Sequence, residues 1–229
     1  MNLLAFDTST EYLSLAVQKG SEVFTFDINA GQTHSQIILP QIQGLLNEAK
    51  LALSDLQGIA FGAGPGSFTG VRIAAGVAQG LGFGANLPVV DICTLLALAE
   101  ASGAGKVIAC LDARMGEVYH AVYEKTHDTW QTVLAPGLYK PAEVPPVQGD
   151  GWVGAGGGWQ AYSEQLSLVY GKQLQAAQPQ ALPTAAAILA LAKPIVVSGN
   201  AKSAGEAMPI YIRNRVALKT AEREQGLKR

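Results

Sequence analysis

The stretch GPGSFTGVRI, residues 64–73, decides how the rest of the chain is interpreted. It follows an apolar run over residues 59–62 that predicts a buried strand, and it precedes a run over residues 73–83 that predicts a helix. The stretch is therefore a glycine-rich turn from strand to helix, and Ser67 or Thr69 can cap the helix. Unpaired amides at the positive end of a helix attract anions, so the turn is a candidate phosphate site. The alternative is a tight turn that needs glycine only for its backbone angles.

The helix after this turn carries a row of glycines. Gly76, Gly80 and Gly84 recur every four residues and therefore share one face of the helix. Each interior glycine costs about 1 kcal/mol relative to alanine. The row predicts that another backbone approaches closely there, either from within the chain or from a partner helix.

Composition limits the function classes that need to be considered. The chain has 229 residues, of which 48% are hydrophobic and 15% charged, so a large core is expected and disorder is not. The net charge of −2 provides no overall field to recruit nucleic acid. From Arg213 onward there are six basic and two acidic residues, which favours a solvated tail over an RNA contact. Cys93 and Cys110 lie in apolar surroundings and are expected to be buried thiols in a reducing cytoplasm, and no apolar run is a convincing membrane span.

The two halves of the chain open with the same pattern. An apolar strand ends in the polar turn Asp7–Thr10 and a hairpin follows; the second half repeats this with a strand that ends at Asp112. A small-residue run over 102–105 separates the halves, so we predict domains 1–104 and 105–229. This duplicated pattern predicts an α/β protein with the actin-like fold (the ASKHA, or ribonuclease H-like, architecture).

In that superfamily two aspartate turns grip nucleotide phosphates and magnesium across a cleft. Here Thr8-Ser9 stands where Asp-x-Gly-Thr is usual, and no Gly-Thr follows Asp112. We therefore predict a degenerate nucleotide site, with no cofactor bound by this chain alone. Its predicted residues are Asp7, Thr8, Ser9, Thr10, Gly64, Gly66, Ser67 and Thr69.

The first helix is expected to begin near Thr33-His34-Ser35 and to contain Pro40. Its apolar stripe is broadened by Ile37 and Leu39 beyond what one sheet face requires. An over-wide stripe beside a glycine row suits an interface between two chains. The predicted interface residues are Ile37, Ile38, Ile42, Leu45, Leu46, Arg72, Gly76, Gly80 and Gly84.

Motifs for other chemistries do not occur in the sequence. The three histidines, His34, His120 and His127, are isolated, so we predict no metal site. No Gly-x-Ser-x-Gly is present, which leaves a peptidase without a motif, and we predict no catalytic residue. A stand-alone ATPase or phosphotransferase of the actin-like superfamily stays open as the alternative function.

The whole chain resembles the TsaB (YeaZ) family, bacterial partners of the tRNA threonylcarbamoyladenosine transferase TsaD. The resemblance rests on five segments that occur in order: residues 6–10, 33–40, 64–73, 112–119 and 209–213. TsaD carries histidine metal ligands on its first helix, but here Ile38 stands four residues after His34. The chain therefore resembles the non-catalytic member of the pair.

The resemblance implies a cytoplasmic, two-domain protein that forms a heterodimer with TsaD and a homodimer when TsaD is missing. It implies assembly with the ATPase TsaE, and modification by the complex of adenosine beside the anticodon in tRNA. It also implies that ATP and magnesium, if they are used, act at the complex with TsaD. No membrane partner is expected.

Overall fold

The computed structural model describes residues 1–213, which form two five-stranded mixed sheets with helices against their faces. Residues 214–229, which contain most of the predicted basic tail, lie outside the described residues. None of the helices within 1–213 is long and apolar enough to cross a bilayer.

The first sheet has the strand order β3-β2-β1-β4-β5. Strand β1 pairs antiparallel with β2 and parallel with β4, so the opening hairpin continues into a parallel sheet. Its strands are β1 (Asn2–Asp7), β2 (Tyr12–Lys19), β3 (Glu22–Asn29), β4 (Gly58–Gly64) and β5 (Val89–Cys93).

The second sheet repeats this topology with the order β10-β9-β6-β7-β8. Strand β6 again pairs antiparallel with the next strand and parallel with the fourth. The strands are β6 (Lys106–Asp112), β7 (Val118–Thr126), β8 (Thr129–Tyr139), β9 (Trp152–Ala155) and β10 (Leu174–Gln178). The predicted duplication is confirmed as a duplication of strand order.

Six helices connect and cover the strands within the described chain: α1 (His34–Glu48), α2 (Phe68–Ala85), α3 (Thr94–Ala101), α4 (Gly157–Ala161), α5 (Ser163–Tyr170) and α6 (Ala185–Val197). Helix α2 begins five residues before the predicted Ile73, because the Ser67 hydroxyl caps it by accepting a bond from Gly70 N at 3.2 Å. Pro40 lies inside α1, and α6 continues past Pro194. Short 3-10 turns cover Leu53–Asp55, Pro141–Glu143 and Ala204–Glu206.

The first sheet is covered on both faces. Alternate residues of β1 point to opposite sides, so Leu4 and Phe6 pack against the α1 and α2 side. Leu3 and Ala5 pack against α6, where Ile188 is fully buried. Helix α6 comes from the second half of the chain, yet it covers one face of the first sheet. The division at residue 104 therefore stays a prediction, even though β6 begins just after it.

Helix α3 lies between the two sheets. Its buried Leu95 and Leu98 pack against one face of the second sheet, together with Val107 and Tyr123. The opposite face of that sheet is covered by Trp159 and the residues of α5. The segment after β9 forms the pair of short helices α4 and α5, which are separated at Tyr162.

Candidate functional site

Asp7 ends β1, and its carboxylate lies inside the protein with 1% of the residue exposed. Oδ1 accepts hydrogen bonds from the Ser9 amide at 2.8 Å and from the Ser9 hydroxyl at 2.7 Å. Oδ2 has no hydrogen-bond partner within residues 1–213. Burial raises the pKa of the Asp7 carboxyl to about 6, against the opposing effect of the two bonds from Ser9. About a tenth of this carboxyl is therefore protonated at pH 7, and about half at pH 6.

Two glycines create the space that the Asp7–Thr10 turn occupies. A Cβ on Gly62 would overlap Oδ2 of Asp7, and a Cβ on Gly70 would overlap the carbonyl oxygen of Thr8. Gly62 belongs to β4, whereas Gly70 lies in the first turn of α2. The glycine-rich turn is thus shaped to receive the turn after β1.

Backbone donors of the glycine-rich turn are bonded to other parts of this chain. The Ser67 amide donates to the Ser9 carbonyl at 2.7 Å, and the Gly64 amide donates to Thr94 Oγ1 at 3.0 Å. The Thr8 hydroxyl donates to the Gly70 carbonyl at 2.7 Å, closing the contact from the other side. These bonds hold the two loops together, and the amides of Gly64, Ser67 and Gly70 already have acceptors.

The structure brings most of the predicted phosphate-site residues together. Ser9 contacts Gly66 and Ser67, Thr8 contacts Gly70 of the same turn, and Asp7 packs against Gly62 just before it. Thr10 faces its own hairpin, where its hydroxyl accepts from Tyr12 N at 3.1 Å, and Thr69 is exposed on the first turn of α2. Nucleotide binding at this degenerate site stays a prediction.

The second aspartate turn is built differently. Oδ1 of Asp112 accepts from the Arg114 amide at 2.8 Å, and its Oδ2 lies 3.0 Å from the Arg114 guanidinium. Arg114 and Met115 both have positive φ angles, of 61° and 60°. The Asp112 carboxylate is paired with Arg114 of its own turn and also accepts from the Tyr162 hydroxyl at 3.3 Å, whereas the Asp7 carboxylate packs against Gly62 of β4.

The segment from 202 to 213 joins the two halves, and sequence reasoning did not foresee its contacts. Ile210 N donates to the Ala63 carbonyl at 2.8 Å, beside the glycine-rich turn. Arg213 lies 2.9 Å from Glu117 and donates to the Ala113 carbonyl at 2.9 Å, in the second half. The sequence of residues 209–213 resembles the family motif, but nothing in it identifies partners more than ninety residues away.

The outer face of α2 is open. Gly76, Gly80 and Gly84 are exposed, and a Cβ built on any of them would meet nothing within 4 Å. Phe83 is 67% exposed and Phe68 is 53% exposed at the two ends of the same helix. Within the described chain, the glycine row therefore does not serve a close internal contact, which was one of the two predicted reasons for it.

The α1 stripe corrects part of the predicted interface. The side chains of Ile38, Ile42, Leu45 and Leu46 are between 1% and 4% exposed and pack into the core above the first sheet. These four residues are wrong as interface side chains, because the helix already buries that stripe against its own sheet. Ile37 is partly buried beside the same core, and Leu39, which is 51% exposed, faces outward.

No cluster of three or more His, Cys, Asp or Glu side chains within residues 1–213 could hold a metal ion. His34 is buried and its Nε2 lies 3.1 Å from the Tyr12 carbonyl. His120 is fully buried in the second sheet. Neither histidine belongs to a cluster of possible metal ligands. The candidate site therefore consists of two parts: the Asp7–Thr10 turn packed against the glycine-rich turn, and the open face of α2.

Comparison with known proteins identifies relatives along nearly the whole chain. The family model of TsaD, tRNA N6-adenosine threonylcarbamoyltransferase, matches residues 28–153. The tRNA threonylcarbamoyladenosine biosynthesis protein TsaB of Escherichia coli is 38% identical, over 96% of this chain and 97% of that protein. TsaB of Haemophilus influenzae is 39% identical, over 96% of each protein.

Solved structures agree with these relatives. YeaZ from Pseudomonas aeruginosa superposes with a TM-score of 0.82 at 36% identity, covering 92% of this chain and 99% of that one. A second structure, described as similar to peptidase YeaZ from Pseudomonas aeruginosa, gives a TM-score of 0.86 at 37% identity, with 93% and 99% covered. This chain therefore belongs to the TsaB (YeaZ) family of tRNA threonylcarbamoyladenosine biosynthesis proteins and has their actin-like, ribonuclease H-like fold.

Proposed function

We propose that this chain is the non-catalytic partner of a TsaD-type transferase in the threonylcarbamoyladenosine modification of tRNA beside the anticodon. It forms a heterodimer with the transferase in the cytoplasm and associates with itself when the transferase is missing. The ATPase TsaE joins the assembly, and tRNA is the substrate of the complex. ATP and magnesium act at the complex with TsaD and not at this chain alone.

The observation that carries the proposal is the open face of α2. A helix interior with three exposed glycines is intrinsically unfavourable, and nothing in the described chain offsets its cost. A second helix lying across Gly76, Gly80 and Gly84 would approach closer than the usual 8–10 Å, bringing backbone against backbone. The exposed rings of Phe68 and Phe83 then gain cover at the two ends of the contact.

The hydrogen bonds between the Asp7–Thr10 turn and the glycine-rich turn support a non-catalytic role. In a working phosphate site the turn amides are free for the ligand, but here Ser67 N and Gly64 N donate to protein oxygens. The carbonyl oxygen of Thr8 lies against Gly70, so it fills space beside the first turn of α2. A stand-alone ATPase is disfavoured for the same reason, and magnesium-dependent ATP turnover by the pure chain would contradict the assignment.

The proposal is tested by placing a large side chain in the middle of the glycine row. Gly80→Leu should keep a cooperative thermal unfolding transition, since the added side chain enters open space and leucine favours a helix. It should lose self-association in sedimentation experiments, lose co-purification with the TsaD-type transferase, and lose tRNA modification in a reconstituted system.

Ala190→Leu is the matched control. Ala190 is exposed on α6, which covers the opposite face of the same sheet, so this change also enlarges a helix surface. The control should bind and support modification like the unmodified chain. A folded Gly80→Leu protein that still binds the transferase would refute this face as the interface.

A further inference from the structure

Arg72 occupies a defined position at the N-terminal end of the open α2 face. Its guanidinium carbon lies 3.2 Å from the centroid of the Phe68 ring and 5.0 Å from that of Tyr211. One guanidinium nitrogen donates to the Phe68 carbonyl at 3.3 Å, and the two rings are 6.4 Å apart. The planar group is therefore held over two aromatic faces, and its other N–H groups donate to no residue between 1 and 213.

The two helices α1 and α2 offer almost no carboxylate to this cation. Arg72 makes no ion pair with any residue between 1 and 213. Helix α2 contains no Asp or Glu, and α1 contains only Glu48, its last residue. A second copy that docked through the same two helices would bring another Arg72 and only that one acidic side chain.

Covering a guanidinium is costly unless the partner supplies an acceptor. Removing a charge from water costs several kcal/mol when no opposite charge compensates for it. A carboxylate binds the fork of a guanidinium through two parallel hydrogen bonds and provides this compensation. Pairing at this position would thus discriminate between partners that otherwise present similar apolar helices.

We propose that Arg72 is a carboxylate receptor that makes the α2 face prefer the TsaD-type transferase, through an Asp or Glu of that chain, over a second copy of this chain. The inference rests on the proposed function and adds the residue that determines the choice of partner. Phe68 and Tyr211 fix the guanidinium before binding, so little side-chain entropy is lost when the pair forms.

RNA phosphate is the other anion that an arginine can bind. Arg72 is the only Lys or Arg of α1 and α2, and its neighbours on the face are aromatic rings and glycines. Sequence-independent binding to a nucleic-acid backbone depends on several cations acting together. A lone cation in an apolar surface fits a protein carboxylate better.

The test compares homodimer and heterodimer affinities of the full chain and its variants. Arg72→Gln should weaken binding to the transferase about tenfold or more at low salt, and should leave self-association equal or stronger. Binding of the unmodified chain to the transferase should weaken as NaCl is raised, and the variant should lose much of that salt dependence. Arg72→Lys keeps the charge but loses the planar fork, so it should fall between the two.

Lys193→Gln is the matched control, because it removes the same charge from an exposed position on α6, on the opposite face of the sheet. Equal weakening of both dimers by Arg72→Gln would show that Arg72 only packs, and unchanged heterodimer affinity would show that no carboxylate is bound; either result overturns the inference. Normal transferase binding with weakened tRNA binding by the complex would assign Arg72 to RNA instead. If the unmodified chain does not bind the transferase, the proposed function itself is wrong and the inference falls with it.

Discussion

Each half of the molecule buries one ionisable side chain that keeps a polar atom without a hydrogen bond. Within residues 1–213 these atoms are Oδ2 of Asp7 in the first half and Nδ1 of His120 in the second. Burial favours the neutral form of both groups, raising the pKa of Asp7 to about 6 and lowering that of His120 to about 4. The surroundings of the two groups are nevertheless different.

His120 lies in the middle of β7 and is held by other side chains. The Tyr170 hydroxyl donates to the Pro145 carbonyl at 2.6 Å and lies 2.8 Å from His120 Nε2. A hydroxyl has one hydrogen, so the histidine must donate from Nε2, which leaves the lone pair on Nδ1. The Tyr139 ring meets the imidazole edge-on, with centroids 5.7 Å apart.

Asp7 is held by Ser9 of its own turn and by the fit of that turn against neighbouring backbone. Its turn fits against β4 and α2 only because Gly62 and Gly70 lack a Cβ. The contrast indicates that the first site depends on shape and the second on a side-chain network.

The largest effect should come from breaking the shape of the first site. Gly70→Ala would place a methyl group on the Thr8 carbonyl, and neither backbone can move without disturbing α2 or β1. We expect a loss of about 3 kcal/mol or more in the free energy of unfolding, measured by urea denaturation.

Gly80→Ala is the control on the same helix. In the monomer the new methyl group enters open space, so at protein concentrations where the chain is monomeric the variant should be up to about 1 kcal/mol more stable than the unmodified chain. Equal stabilities for the two variants would contradict the docked arrangement of the Asp7 turn.

The local structure of the glycine-rich turn could be predicted from the sequence, but its contacts with distant parts of the chain could not. The strand, turn, helix and Ser67 cap follow from residues 59–85, because glycine and capping preferences act over a few residues. That Thr8 and Ser9 fill the turn could not be predicted, since they contact it from about sixty residues away. Strand β10 was missed because LQAAQ has little alternation and forms an exposed edge.

The predicted interface shows the same limit. Periodicity correctly predicted that α1 is a helix with an apolar stripe, but it does not reveal what covers the stripe. Ile38 and Leu45 face the protein's own sheet, whereas Gly76 and Gly80 face outward. The burial of His120 was also missed, because a histidine in an alternating strand does not reveal whether its face meets solvent or another layer.

The pH dependence of stability should separate the two buried groups. The pKa of His120 is lower in the folded chain, so the unfolded chain takes up protons first as the pH falls from about 6.5 to 4. This should remove about 3 kcal/mol of stability. The pKa of Asp7 is higher in the folded chain, so the folded chain takes up protons first as the pH falls from 6 towards 3.8. This should add about 2 kcal/mol to the free energy of unfolding. The two contributions oppose each other and largely cancel in the unmodified chain.

Single substitutions should reveal each contribution. Between pH 7 and pH 4, Asp7→Asn should lose about 2 kcal/mol more stability than the unmodified chain, and His120→Gln about 3 kcal/mol less. Urea denaturation at both pH values gives the comparison. Other carboxylates, such as Glu100 with its lowered pKa, are common to all three proteins and cancel in the differences. Parallel pH curves for the three proteins would refute the burial argument.

An effect no larger than that of Asp7→Asn should come from removing one oxygen of the second site. Tyr170→Phe keeps the ring, which is fully buried beside Trp159, but leaves His120 Nε2 and the Pro145 carbonyl without their shared partner. Two unpaired polar groups in a core should cost about 2 kcal/mol in the free energy of unfolding. Tyr119→Phe is the control, since the Tyr119 hydroxyl makes no hydrogen bond to any residue from 1 to 213 and its loss should change stability little.

The same variant also tests which nitrogen of His120 carries the proton. Without the Tyr170 oxygen, nothing in the described core favours the Nε2–H form, so the imidazole can exchange between tautomers. Nitrogen chemical shifts of the ring should show one fixed tautomer in the unmodified chain and a changed tautomer ratio in Tyr170→Phe. An unchanged Nε2–H signal together with unchanged stability would mean that the network does not hold the histidine, and the contrast with the shape-held Asp7 would then disappear.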